Sequence, residues 1–262
     1  MSDSDFSQQI RGALRPGGLE WQLLFRSSLD STNAQLKRLA QQGQAHGSCL
    51  MADFQTAGRG RQGRSWQAPA GRSLLFSLLL RPPVPVDQLF AFTALASLSL
   101  CYALEEQGLN PQIKWPNDVY LQGAKLAGIL SEIDGSSLFL IIGMGVNVNQ
   151  STEELAVLDQ AAVSLQSISG KQWQRASLLS AILNHMSALY LQWEGDSLAW
   201  LAPYQARSWL LGQQVIVRDG KKLAQGKAVA IETDCALLLQ VTDRERVAVS
   251  YGDVSILAID RT

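Results

Sequence analysis

Ala57-Gly58-Arg59-Gly60-Arg61-Gln62-Gly63-Arg64 lies between two apolar stretches, Ser48 to Gln55 (SCLMADFQ) and Leu74 to Leu80 (LLFSLLL). Both flanks read as strands, and the second, with almost no polar alternation, reads as fully buried. The segment between them therefore joins two core strands. Its three glycines let the backbone approach a ligand closely, and its three arginines line that approach with forked cationic donors. Phosphate is the natural guest of such a loop. An RNA-binding arginine-glycine tail uses the same residue types, but such tails repeat and are disordered, whereas this segment occurs once between core strands.

Upstream, Ser27 to Gln42 (SSLDSTNAQLKRLAQQ) predicts a helix whose start falls near Ser31, Thr32 and Asn33, with Leu36, Leu39 and Ala40 at helical spacing. Downstream, Leu89 to Leu104 (LFAFTALASLSLCYAL) is shorter than the ~20 residues that span a bilayer and predicts a buried core helix. Gln112–Trp115, Val119–Leu121, Lys125–Ile133 and Leu138–Val148 predict short strands of a mixed or antiparallel sheet. Ser151 to Gly170 reads as loop, and Trp173 to Trp193 as one long amphipathic helix. From Gly212 the texture changes to five short strands, Gln214–Val217, Gly226–Ile231, Leu237–Val241, Arg246–Ser250 and Val254–Ile259, the pattern of a small barrel. The expected fold is α/β (α+β): a mixed sheet backed by helices over residues 1–209, and a small β-barrel over residues 210–262.

Composition narrows the function. With 47% hydrophobic and 17% charged residues the chain builds an ordinary globular core, and 22 basic against 23 acidic residues leave no global field for nonspecific nucleic-acid or membrane binding. Any bound anion must be met by local charge. Cys49, Cys101 and Cys235 are odd in number and irregularly spaced, which suits reduced thiols, and with only His46 and His185 beside them no zinc pattern exists. The N-terminus lacks the apolar stretch of a secretory signal, so a cytoplasmic location is expected.

Three further motifs carry chemistry: Lys114-Trp115-Pro116-Asn117-Asp118, Lys125-Leu126-Ala127-Gly128-Ile129-Leu130, and Gly143-Met144-Gly145-Val146-Asn147-Val148-Asn149. Taken singly, they read as a turn, a solvated strand end and a buried strand with a glycine bulge. Taken in order after Ser-Thr-Asn and Gln-x-x-Gly-Arg-Gly-Arg, they resemble the biotin protein ligase family, strongly over about residues 27 to 150. The C-terminal strands are similar to the SH3-like domain of such ligases. About twenty-five residues precede the first motif, too few for the winged-helix repressor domain of bifunctional members, so a monofunctional enzyme is expected.

The resemblance implies ATP-dependent formation of biotinyl-5′-AMP and transfer of biotin to a lysine of a biotin carboxyl carrier protein, an acetyl-CoA carboxylase subunit. It puts Ser31, Thr32, Asn33, Gln55, Arg59, Gly60, Arg61 and Lys125 around biotin. It puts Arg61, Arg64, Trp66, Asn117, Lys125 and Asn147 around ATP or the adenylate. Lys125, Arg61 and Asp118 take the catalytic roles, the first two as electrostatic stabilisers and Asp118 facing the acceptor amine. Mg²⁺ is expected with ATP, its ligands unassigned, and biotin is a substrate. No DNA or membrane partner is implied, and a homodimer is compatible. Two rivals stay open: a lipoate or octanoate ligase, which also joins a carboxylate to a carrier lysine, and a noncatalytic biotin- or RNA-binding module.

Overall fold

The computed structural model describes residues 3–134, 139–158, 160–219, 222–250 and 252–256. Helix α1 (Asp3–Ala13) leads into β1 (Gln22–Leu29), α2 (Thr32–Gln41), β2 (Ser48–Gln55) and β3 (Ser73–Leu80). Then come α3 (Ala91–Glu105), β4 (Gln112–Lys114), β5 (Asp118–Leu121), β6 (Ala124–Asp134) and β7 (Phe139–Asn147). These strands form one seven-stranded mixed sheet in the order β1-β2-β3-β7-β6-β5-β4. Only β1 and β2 run parallel, joined by α2 as the crossover. Residues Ser27 to Leu29, expected in the helix, extend β1 instead: Ser28 and Leu29 pair with Phe54 and Gln55, and Ser31 caps α2 by accepting the Ala34 N–H.

All eight residues of β3 are buried because both sheet faces are covered. On one face Leu74, Phe76, Leu78 and Leu80 join the core of α1, α3 and the long helix α6 (Arg175–Gly195), which follows the short helices α4 (Thr152–Ala156) and α5 (Leu165–Ser169). On the other, Leu79 packs with Leu36, Ala40, Leu50, Phe139 and Ile141 beneath α2. Helix α3 is apolar enough to cross a membrane by length and composition, but it lies in this core with most of its residues buried. The stretch expected as loop holds α4 and α5, which are nucleated by Ser151/Glu154 and Ser164/Ser167 capping boxes. Helix α1 was not expected from its polar composition; Phe6 and Ile10, one turn apart, are its buried anchors.

After α7 (Leu201–Ala206) the chain enters an antiparallel sheet of β8 (Gln214–Asp219), β9 (Lys222–Ile231), β10 (Leu237–Gln240), β11 (Arg246–Val249) and β12 (Asp253–Ile256), ordered β11-β10-β9-β8-β12. Leu138 of the expected Leu138–Val148 strand, and residues 257–259 of the expected last one, lie outside the described residues. The two sheets are joined beside the Trp-Pro-Asn-Asp turn, where the Trp115 indole N–H donates to the Cys235 carbonyl at 2.7 Å. β12 lies beside the arginine loop, where Asp253 pairs with Arg64.

His46 gives the fold a pH signature. Its Nδ1 accepts the Arg81 backbone N–H at 2.9 Å, a bond only neutral imidazole can make. Burial holds its pKa below the ordinary 6.5, with Glu194 opposing and Arg81 reinforcing the effect. The unfolded chain therefore takes up the proton first. The His46 contribution to stability is complete above pH 6.5 and is lost as pH falls from there toward the folded pKa, by at most ~1.4 kcal/mol per pH unit. Urea unfolding of wild type and His46→Gln from about pH 7.5 to 5 should show the steeper loss in wild type; equal slopes would refute the assignment.

Candidate functional site

The arginine loop is a small hairpin. The Trp66 N–H donates to the Gly58 carbonyl at 3.0 Å and the Gly60 N–H to the Arg64 carbonyl at 2.7 Å, with a one-turn 3₁₀ segment at Arg61–Gly63. A Cβ on Gly58 would stand 2.5 Å from the Trp66 carbonyl oxygen, so the hairpin closes only with glycine there. It leans over a cavity of about 300 Å³ between β6, β7, the start of α2 and β12.

One end of the cavity is lined by neutral polar groups. Gln55, at the end of β2, accepts the Thr32 N–H at 2.7 Å and its hydroxyl at 3.0 Å. Ser77 Oγ lies 2.7 Å from Thr32 Oγ1 and 2.6 Å from Asn33 Oδ1, so its single proton serves one of them at a time. The Asn33 amide donates to the Leu130 carbonyl at 3.1 Å and to Glu132 at 2.7 Å, and Arg59 closes the chain by pairing with Glu132 at 2.9 Å. Gly143 on β7 makes room for Asn33, because any Cβ there would overlap its side-chain amide.

The other end is cationic. Lys125 pairs with Asp118 at 2.9 Å, both side chains under 20% exposed, and Arg64 pairs with Asp253 of β12. Arg61 donates to the Asn117 side-chain carbonyl at 3.0 Å, while the Asn117 amide donates to the Ile129 carbonyl at 2.6 Å, tying the loop to β6. Burial pulls the Arg61 guanidinium below its ordinary pKa, Asp253 and Asp118 pull it back, and Arg64 pushes it down again. Lys114 stands over the stacked rings of Tyr120 and Trp209, at 5.2 and 5.5 Å, with its pKa lowered first by burial. Burial, helped by Asp118, pushes Tyr120 up to about 12, so it meets Lys114 as a neutral phenol.

Trp66 forms one wall. Lys125 Nζ lies 5.9 Å from its ring, and its buried indole N–H has no partner among the described residues. A Cβ at Gly145 would come within 2.5 Å of the ring and one at Gly128 within 3.2 Å. The two glycines thus leave a slot for a flat side chain.

Of the residues expected at the site, Ser31, Thr32, Asn33, Gln55, Arg59, Gly60, Arg61, Arg64, Trp66, Asn117, Asp118 and Lys125 line this one cavity. Asn147 does not. It is buried, and its side-chain oxygen accepts from Gln150 at 2.8 Å beside Ser73. Sequence reasoning missed Ser77, Glu132 and Asp253, and gave no role to Lys114 although it opens one of the quoted motifs. Ser77 had a signal, as the one polar residue interrupting the apolar run Leu74–Leu80 within β3. Among the described residues no group of three or more His, Cys, Asp or Glu is placed to hold a metal ion.

A neutral polar pocket opening onto a cluster of cations is a site for an uncharged head group with an anionic tail, next to a second anion. Enzymes that activate a carboxylate with a nucleotide need that arrangement. Comparison with known proteins narrows the class. Residues 25–149 match the biotin/lipoate A/B protein ligase family and residues 210–257 the biotin protein ligase C terminal domain. The biotin--[acetyl-CoA-carboxylase] ligase of Mycobacterium tuberculosis is 35% identical over 255 residues, covering 94% of each chain. That of Paracoccus denitrificans is 33% identical, covering 80% of this chain and 91% of its own. The solved biotin protein ligase from Aquifex aeolicus in complex with biotin and ATP superposes with a TM-score of 0.77 at 31% identity, covering 90% of this chain and 98% of its own. The chain belongs to the biotin protein ligase family.

The Trp66 slot yields a direct test. Gly145→Ala should push the indole from its place and raise the KM for ATP at least tenfold while changing that for biotin much less. The measurement is initial-rate kinetics with each substrate varied in turn, and an equal effect on both would remove Trp66 from the nucleotide end.

Proposed function

We propose that this chain is an ATP-dependent biotin protein ligase that forms biotinyl-5′-AMP and pyrophosphate, then transfers the biotinyl group to a lysine of a biotin carboxyl carrier protein. The observation that carries this reading is the convergence of Arg59, Arg61, Arg64, Lys114 and Lys125 on one cavity whose far end is lined by Ser31, Thr32, Asn33 and Gln55. Hydroxyl and amide groups suit the ureido ring and the chain of biotin; the cations suit its carboxylate and the triphosphate.

In the first step a carboxylate oxygen of biotin attacks the α-phosphorus, the bond from that phosphorus to the bridging oxygen breaks, and pyrophosphate leaves with the electron pair. Two anions are forced together and charge builds on the phosphoryl oxygens. Cations fixed beforehand stabilise that charge without reorganising. Lys125, on β6 and backed by Gly128, and Arg61, on the hairpin, take this role. In the second step the acceptor amine attacks the acyl carbon, AMP leaves, and one proton is lost from nitrogen. Asp118 receives or orients that proton once Lys125 has turned from it to the ligand. Mg²⁺ accompanying ATP would be held by phosphates and water and would supply further charge neutralisation.

Residues 1–209 form the catalytic domain and 210–262 the SH3-like domain in this reading; residues 257–262 lie outside the described ones. The enzyme acts in the cytoplasm without DNA or membrane partners, in keeping with its near-zero net charge; a homodimer is compatible. A second groove on the outer face of the hairpin shares Pro116 and Asn117 with the cavity, which supports entry of the acceptor lysine from that side. Lipoate ligation and simple binding are the readings to be separated, and the named relatives favour biotin.

Pyrophosphate exchange into ATP separates them. Wild type should exchange only with biotin present. Lys125→Ala should lower the exchange rate about a hundredfold at saturating substrates, and Lys125→Arg should recover little, because a planar fork does not replace a compact ammonium. Exchange driven equally by lipoate, or absent with folded protein, would overturn the reading.

A further inference from the structure

Three cations of the cavity each carry a carboxylate partner, but the partners differ in origin. Glu132 and Asp118, which hold Arg59 and Lys125, come from the same sheet as the site. Asp253, which holds Arg64, comes from β12 in the C-terminal sheet. Asp253 and its neighbours Gly252, Val254 and Ser255 line the cavity itself. The Asp253 carboxylate also acts on Arg61 and Lys114, raising the pKa of each against the effect of burial. One acidic side chain from the far sheet therefore faces three cations that have to meet a polyanion.

We infer that Asp253 is a positioning residue that occupies Arg64 until the triphosphate displaces it, so that the C-terminal sheet sets the affinity for nucleotide but not for biotin. The inference rests on the nucleotide reading of the cationic end given above. It follows from charge and placement. ATP must break the Arg64–Asp253 pair to use Arg64, and it enters against the field of a fixed carboxylate. Biotin has a neutral head group that fits the opposite end, among Thr32, Asn33 and Gln55, and brings one charge to the near side. The pair is partly exposed, with side-chain exposures of 62% and 38%, so its hold is modest and reversible.

The test is biotin-dependent pyrophosphate exchange at low ionic strength with ATP and biotin varied separately. Asp253→Asn should lower the KM for ATP two- to fivefold, the size expected from releasing one partly exposed ion pair, and leave that for biotin unchanged. Asp253→Glu, which keeps the charge, should restore the wild-type KM for ATP. In an Arg64→Gln background the Asp253→Asn effect should be clearly smaller, because only the field of Asp253 on Arg61 and Lys114 remains to be removed. A purely structural role would shift thermal unfolding and both KM values together. An unchanged or higher KM for ATP in Asp253→Asn, or an undiminished effect without Arg64, would overturn the inference. If wild type shows no biotin-dependent exchange, the functional reading fails; if it exchanges normally while Asp253→Asn behaves as wild type, only the role of Asp253 fails.

Discussion

Repulsion among five cations around a cavity of about 300 Å³ is the constraint to which the rest of the site answers. Arg59, Arg64 and Lys125 are held apart by Glu132, Asp253 and Asp118, while Arg61 and Lys114 form no ion pair among the described residues. Neutral groups hold these last two instead, an amide oxygen for Arg61 and aromatic faces for Lys114. Carboxylates offset part of the repulsion, and the uncompensated cations keep the site attractive to anions. Such preorganisation costs folding stability locally and lowers the reorganisation needed during reaction.

The sheet makes the arrangement affordable. β6 and β7 lie side by side with Gly128 opposite Gly145, and these bare backbone positions admit the Trp66 ring and the Lys125 side chain above the sheet. Gly143, two residues before Gly145 and so on the same face, admits Asn33 from the start of α2. The hydrogen-bonded chain from Gln55 through Thr32, Ser77 and Asn33 to Glu132 and Arg59 then links helix start, sheet and hairpin. A change at any member is felt at the neutral end and, through Arg59, at the cationic end.

Much of this was readable from residue order. The hairpin stood out because glycines and arginines between two apolar strands have few other uses, and most strands were bounded to within one or two residues by turn-forming neighbours. What escaped depended on tertiary contacts. Glu132 sits in an alternating strand where a solvent-facing acid is ordinary, and only the fold brings it to Arg59. Asp253 lies 189 residues from Arg64 in sequence. Asn147 was placed by motif alone, yet β7 pairs it with Ser73 and directs its amide to Gln150. Helix α1 was hidden by a polar surface face that outweighs two buried side chains.

The central claim is that ligand oxygens replace the carboxylates that pair with the cations in this structure. A crystal structure with a hydrolysis-resistant biotinyl-adenylate analogue tests it most directly. The account predicts that Lys125 leaves Asp118, now 2.9 Å away, and comes within hydrogen-bond distance of a phosphoryl or acyl oxygen. A bound analogue whose phosphate meets only water, with the Lys125–Asp118 pair intact, would contradict it.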